Sequence, residues 1–370
     1  MPEPSINCLV TADYEIFLGR NFLSHEEVLF APTRQLMDVC RAHAVPVTLF
    51  ADVCSAWAHR EYGEFREYVH TFESQLKDAV EVGHDVQLHI HPHWLKSTYA
   101  DGAWRLSTDQ MYLHELGFHD GLNSAGAVIK AGIEYLENLL KPVRPGYHCH
   151  AFRAAGLALQ PNEKELITAL LRYGISIDSS VVKNVRLKMD TIEIDYSNMP
   201  NKANWFMSPE TGIREPTPGG LLEVPVATFR SGLATRLGFL IRRAKSVSMQ
   251  RGSSISRSPK QTRLANLMSL MRYNLRYVTT NPWFLFSCDT KGVNLKMLME
   301  GLEQYVSGHR QSEDISLSMI NHPKMMFRQQ FDLMSNLFDS MRQRYGDRLR
   351  FVTSADILAQ AHEIEGTKNG

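Results

Sequence analysis

The alternation of short apolar runs with longer segments of helical period constrains this chain more than any other feature. Runs at Ile6 to Ala12, Val45 to Val53, Val86 to His91, Gly146 to Phe152, Ile175 to Ser179, Leu221 to Val226, Ile315 to Ile320 and Leu349 to Thr353 read as strands. Between them, Thr33 to Ala44, Phe72 to Val82, Ala125 to Leu140, Glu163 to Arg172, Leu295 to Val306 and Met325 to Arg344 read as helices. In the first of these Leu36, Met37, Val39 and Cys40 share an inward face. Strands that alternate with helices form a parallel sheet, and this many of them predict a closed or nearly closed α/β barrel. The length, 370 residues, leaves room for such a barrel and an elaboration.

Composition narrows the function classes. Forty basic residues balance forty acidic ones, so overall charge gives no reason to expect nucleic acid as a partner. With 44% hydrophobic and 22% charged residues, the chain has ample material for a core and is neither fibrous nor mainly disordered. No uncharged apolar run approaches the roughly 20 residues that a spanning helix needs. The polar lead before Ile6 lacks a basic segment and a small-residue cleavage site, so a secretory signal is not expected. Cys8, Cys40, Cys54, Cys149 and Cys288 are dispersed and form no CxxC pair. They fit buried thiols in a reducing cytoplasm better than a disulfide framework.

One region departs from the pattern. Val224 to Cys288 contains eleven Lys and Arg and no Asp or Glu. Leu233, Leu237, Leu240 and Ile241 make one helical stripe there, and Leu264, Leu267, Met268, Met271 and Leu275 make another. Ser246 to Ser258 between them is Ser-rich and reads as a flexible loop. The expected organisation is therefore a barrel over residues 1–223 and 289–370, interrupted by a basic helical insertion at 224–288. Three readings of the insertion stand side by side. Its helices could pack on the barrel with solvated arginines, or line a groove for the diphosphate of a lipid- or nucleotide-linked sugar. Alternatively they could rest on an anionic membrane surface, which would make the protein peripheral on the inner membrane; this is the reading we favour.

The densest chemistry lies in Gly83-His84-Asp85-Val86-Gln87-Leu88-His89-Ile90-His91-Pro92-His93-Trp94. In extended backbone His89, His91 and His93 project to one face, and Pro92 argues for a strand running out into a loop. Imidazoles converging at a strand end suit a first-row divalent metal, with Zn²⁺ the leading candidate; a merely polar cleft is the alternative. Asp13 and Glu15 follow the first strand with one residue between them. One could coordinate the metal while the other takes a proton from water, although an exposed acidic turn would look the same. His322 ends the strand Ile315 to Ile320 as a candidate acid, and Arg153 follows another strand as a residue to orient a carboxylate or substrate. Trp94, Trp104 and Trp205 could stack on sugar rings or belong to the core. There is no phosphate-binding glycine-rich loop, no GxGxxG after a strand and no GxSxG elbow.

Taken in order, these segments resemble the polysaccharide deacetylases of carbohydrate esterase family four, the NodB-homology domain. Thr11-Ala12-Asp13-Tyr14-Glu15 matches the Thr and first Asp of the family's Thr-Phe-Asp-Asp-Gly motif, while Tyr14 stands at its second, metal-binding Asp. Gly83-His84-Asp85 followed by His89 and His93 fits its second motif, and Ile320-Asn321-His322 its last. Arg153-Ala154-Ala155-Gly156 keeps only the Arg of its third, Arg-x-Pro-Tyr. Asp178-Ser179-Ser180, Leu222-Glu223-Val224-Pro225 and Phe351-Val352-Thr353 correspond to later strands, so the resemblance runs from about Ile6 to Leu358 around the basic segment.

The resemblance implies a distorted (β/α) barrel of about seven parallel strands and a metal-dependent hydrolysis of an N-acetyl group on a sugar. It implies Asp13 as base, His322 as acid, and Glu15, His89 and His93 as metal ligands; Arg153, as the third-motif Arg, joins the catalytic set, and His91, without a ligand role in that pattern, is left to face substrate. An acetylated sugar or glycan precursor in the biosynthesis of a cell-surface polysaccharide, such as O-antigen, capsule or lipopolysaccharide, is the expected partner. A catalytically inactive metal- or carbohydrate-binding protein and a non-sugar amide hydrolase on the same barrel are the alternatives.

Overall fold

The computed structural model describes residues 3–17, 23–119, 121–188, 192–249, 280–311 and 314–368. Its centre is a nine-stranded curled sheet. In chain order the main strands and helices of the fold are β1 (Ser5–Tyr14), α1 (Ala31–Ala42), β2 (Val47–Asp52), α2 (Val53–Arg60), α3 (Arg66–Glu81), β3 (Asp85–Ile90), α4 (Ala125–Leu140), β4 (Ala151–Ala154), α5 (Glu163–Arg172) and β5 (Ile177–Asp178). They continue with β6 (Trp205–Met207), β7 (Leu221–Glu223), β8 (Thr228–Phe229), α6 (Leu233–Met249), β9 (Phe284–Leu285), α7 (Leu295–Gly308), β10 (Asp314–Asn321), α8 (Arg328–Tyr345), β11 (Leu349–Phe351) and α9 (Ser354–Lys368). Across the sheet the order is β6-β7-β5-β4-β3-β2-β1-β10, with β11 beside the first half of β1 and β2 beside its second half. All neighbours are parallel except β6 on β7. Val226 bridges Val182 on one side and Ser318 of β10 on the other, drawing the two ends of the sheet together. This is the nearly closed α/β barrel that the alternation of elements predicts, with the distortion that the resemblance implies.

Period-two alternation decides which residues look into the barrel. On β1, Ile6, Cys8, Val10, Ala12 and Tyr14 join the large core under the helices, while Leu9 joins a smaller inner cluster with Phe50, Ala151, Ile177, Leu222 and Val224. The same parity sends Thr11 and Asp13 inward, above that apolar plug. Burial of both cores is nearly complete, so the plug gives the polar residues at the strand ends a solid floor.

Two helices were not expected from periodicity: α2, directly after β2, and α9 at the end of the described chain. The strand expected at Gly146 to Phe152 begins only at Ala151, because Tyr147 and the residues around it form a turn. Of the basic segment, Val224 and Val226 belong to the barrel wall, and β8 and β9 pair antiparallel where the segment leaves and returns. The second apolar stripe, Leu264 to Leu275, lies outside the described residues, as does most of the Ser-rich stretch. Among the described residues no helix is long and apolar enough to cross a membrane. All five cysteines are buried and unpaired.

Candidate metal and catalytic site

Inward-facing residues at the carboxyl ends of β1 to β4 form one polar layer. Asp52, His89 and Arg153 stand side by side across β2, β3 and β4 in register. Asp13 is the last residue but one of β1, beside Phe50, and Glu15 lies one residue past that strand. His322 follows β10. All but His322 are almost wholly buried; its side chain keeps 27% of its surface in contact with solvent.

Three ligand atoms converge at the centre of this layer. His89 Nδ1 lies 2.7 Å from the Arg153 carbonyl oxygen, which can only accept, so Nδ1 carries the proton and Nε2 presents its lone pair. That Nε2 lies 3.4 Å from Glu15 Oε2 and 3.0 Å from His91 Nε2. His91 Nε2 and Glu15 Oε2 are in close contact. Glu15 Oε2 is buried yet accepts no well-formed hydrogen bond. Two imidazole nitrogens and one carboxylate oxygen that lie this close together could hold a divalent cation, and the donor set suits Zn²⁺. Asp13, Glu15 and His322 form a second, overlapping group of possible ligands.

His93 lies apart from this convergence. The chain turns into a 3-10 helix at Pro92–Lys96, which ends the alternation that would have aimed His93 alongside His89. His93 is fully buried, edge-on to His91 and against Trp94, with neither ring nitrogen hydrogen-bonded. Burial pushes its pKa down to about 3, so it is a neutral ring that backs His91. The described structure thus brings His91, rather than His93, to Glu15 and His89.

Two ion pairs face each other beside the convergence. Arg153 Nη1 donates to Asp13 Oδ1 at 2.6 Å and to Thr11 Oγ1 at 2.8 Å, while its Nε and Nη2 donate to Ser179. Burial pushes the Asp13 carboxyl up, but the Arg153 guanidinium, with His89 and His322, holds it below the ordinary carboxylate range. Opposite, Asp289 Oδ2 lies 2.6 Å from His322 Nδ1 and accepts from the His322 backbone N–H at 2.8 Å. Burial works against the charged imidazole, yet Asp289, Asp13 and Glu15 together raise its pKa to about 9. His322 Nε2 is 3.5 Å from Asp13 Oδ2. A buried carboxylate of lowered pKa and an imidazole of raised pKa therefore meet at one point.

Three contributors escaped the sequence reading. Asp289 is the first acidic residue after Glu223, a position that could have drawn notice. Asp52 ends an expected strand beside the His cluster and accepts the His91 backbone N–H at 3.2 Å. Lys324 Nζ donates to Glu15 Oε1 at 2.7 Å and to the Ile16 carbonyl at 3.1 Å; only the fold brings it there. Trp94 and Trp205 are buried, and Trp104, half-buried, packs in an aromatic cluster with Phe65 and His59.

No protein-family profile matches the chain, and no curated relative does. Solved structures do. A Parabacteroides distasonis protein, provisionally described as a glycoside hydrolase/deacetylase, superposes with a TM-score of 0.50 at 10% identity, over 95% of this chain and 70% of that one. Proteins provisionally described as polysaccharide deacetylases match too. The one from Mycobacterium smegmatis covers 98% of this chain and 92% of its own, with a TM-score of 0.45 and 13% identity. The one from Pseudomonas aeruginosa PAO1 covers 97% and 91%, with a TM-score of 0.45 and 12% identity. The superposition on the Parabacteroides distasonis protein is a likeness of fold.

Proposed function

We propose that this chain is a metal-dependent hydrolase that removes an N-acetyl group from a sugar. The observation that carries the reading is the opposition of the Arg153–Asp13 and Asp289–His322 pairs across 3.5 Å, next to the Glu15, His89 and His91 donors. When bound to those donors, a divalent ion supplies Lewis acidity to a water and to the acyl carbonyl. Asp13, kept anionic by Arg153, takes the proton of the attacking water. His322, kept protonated by Asp289, hands a proton to the departing amine. Lys324 holds the other oxygen of Glu15, leaving Oε2 to face the imidazoles. The sugar half of the proposal, and an acetylated glycan precursor as its source, rest on the motif resemblance.

Metal analysis combined with acetate release from a panel of N-acetylated sugars tests it. The wild type should contain about one divalent ion and release acetate. Asp13→Asn and His322→Ala should each lower the rate by about 10² to 10⁴ while keeping the metal. Metal without acyl release from any sugar would make the protein a binding module. Release only from non-sugar amides would retain the chemistry and overturn the substrate.

A further inference from the structure

We propose that a groove adjoining the candidate site is a substrate subsite, and that the acetylated sugar carries a hydrocarbon group that lies in it. The inference rests on the hydrolase reading above and narrows the substrate class of that same site. β1 and β10 run side by side in parallel, with Ala12 opposite Asn321. The segments that leave them, Glu15 to Phe17 and His322 to Lys324, therefore emerge next to each other. Lys324 ties the two together. Its Nζ donates to Glu15 Oε1 at 2.7 Å and to the Ile16 carbonyl at 3.1 Å, and lies 5.3 Å from the centre of the Phe17 ring. Phe17 and Lys324 are also part of the wall of a groove of about 280 Å³. The groove thus begins one side chain away from the Glu15, His89 and His91 donors.

The wall decides what the groove can hold. Leu23, Val28, Met326, Phe327 and Phe331 join Phe17 in it, and Phe327 is 42% exposed. The charged side chains of the wall are engaged. Glu27 Oε2 accepts from the Ser24 backbone N–H at 3.1 Å and from its hydroxyl at 2.8 Å. Arg328 pairs with Asp332 at 4.0 Å. Lys324 turns its ammonium to Glu15, so the groove meets mainly its hydrocarbon stem. Gln35 is the one neutral polar side chain of the wall. Against such a wall the hydroxyls of a sugar ring would lose water without gaining partners. A hydrocarbon group has no such loss and gains from burial. The volume, at the low end for ligand pockets, suits one portion of a substrate rather than a whole glycan. A short alkyl chain attached to the acetylated sugar meets both conditions.

Methyl and octyl glycosides of an N-acetylated hexosamine, each below its micellar concentration, test the proposal through two readouts. Calorimetry on the full-length Asp13→Asn variant gives affinity without turnover, and acetate release by the wild type gives kcat and KM. The octyl glycoside should bind at least about tenfold tighter than the methyl glycoside. The wild-type KM should fall by a similar factor with kcat little changed. Phe327→Ser should bring the octyl-to-methyl ratio close to one. Phe327 stands at the N-cap of α8, where serine is a preferred residue, so the helix keeps its support. Phe327→Leu should keep most of the ratio, and so should Leu122→Ser, on a residue 95% exposed. Equal affinity for the two glycosides would overturn the subsite even with acetate released, as would an octyl preference that Phe327→Ser leaves intact. An octyl preference lost in Phe327→Ser, with no acetate released by the wild type, would support the subsite and overturn the reaction proposed beside it. No binding of either glycoside would overturn both.

Discussion

At the scale of single residues, the end of β3 places the candidate donors. His89 is still on the strand, His91 is the last residue before Pro92, and His93 lies inside the 3-10 turn that follows. The parity that aims His89 and His91 together therefore stops short of His93. If the proposed Glu15, His89 and His91 site holds the metal, replacing His91 by Ala should lower metal affinity by about 100-fold or more. His93→Ala should lower it less than about tenfold, its main effect being a buried void that costs about 1–3 kcal/mol of stability. Metal content after dialysis against graded chelator, read beside a denaturation curve, separates the two. The reverse ranking would favour His93, as the motif resemblance implies, over His91.

At the scale of elements, small residues set how closely helices approach the barrel wall. Gly301 of α7 faces Phe229 of β8 so tightly that an added Cβ would lie 2.5 Å from the ring's Cγ. Helix propensity alone would favour alanine there by about 1 kcal/mol. Overpacking a buried ring costs about 1–3 kcal/mol, so the steric term wins. Gly301→Ala should lower the denaturation midpoint, whereas a raised midpoint would show that Phe229 yields without strain. The contact lies where β8 and β9 carry the basic segment in and out, so the same variant should loosen α6 against the barrel before it disturbs the sheet around Asp13.

At the scale of the whole molecule, the barrel tolerates a buried pair of acids that its site chemistry does not use. Asp178 of β5 and Glu223 of β7 are register partners and both are fully buried. Burial, followed by the Asp178 charge beside it, raises the Glu223 pKa well above its usual value. Asp178 is raised too, chiefly by burial, although it accepts from Ser180. A carboxyl with a raised folded pKa holds its proton in the folded state after the unfolded chain has released it. Stability is therefore lost as pH climbs above about 4.5, the ordinary Glu range, up to the folded pKa. Glu223→Gln, which mimics the protonated form, should raise the melting temperature at pH 7, and the gain should shrink as pH falls toward 4. A gain equal at both pH values would point to packing rather than protonation. This pair, like the site, shows where reading the chain succeeds and where it ends. The alternation of elements, the parity that turns Asp13, His89 and Arg153 inward, and the placement of His322 at a strand end follow from local periodicity, because side-chain direction in a strand depends only on backbone neighbours. The partnership of Asp289 with His322, the reach of Lys324 to Glu15, the groove beside that lysine and the departure of His93 were decided by tertiary structure. Each depends on how far a turn rotates or which face a helix buries, and those are set by packing against residues distant in the chain.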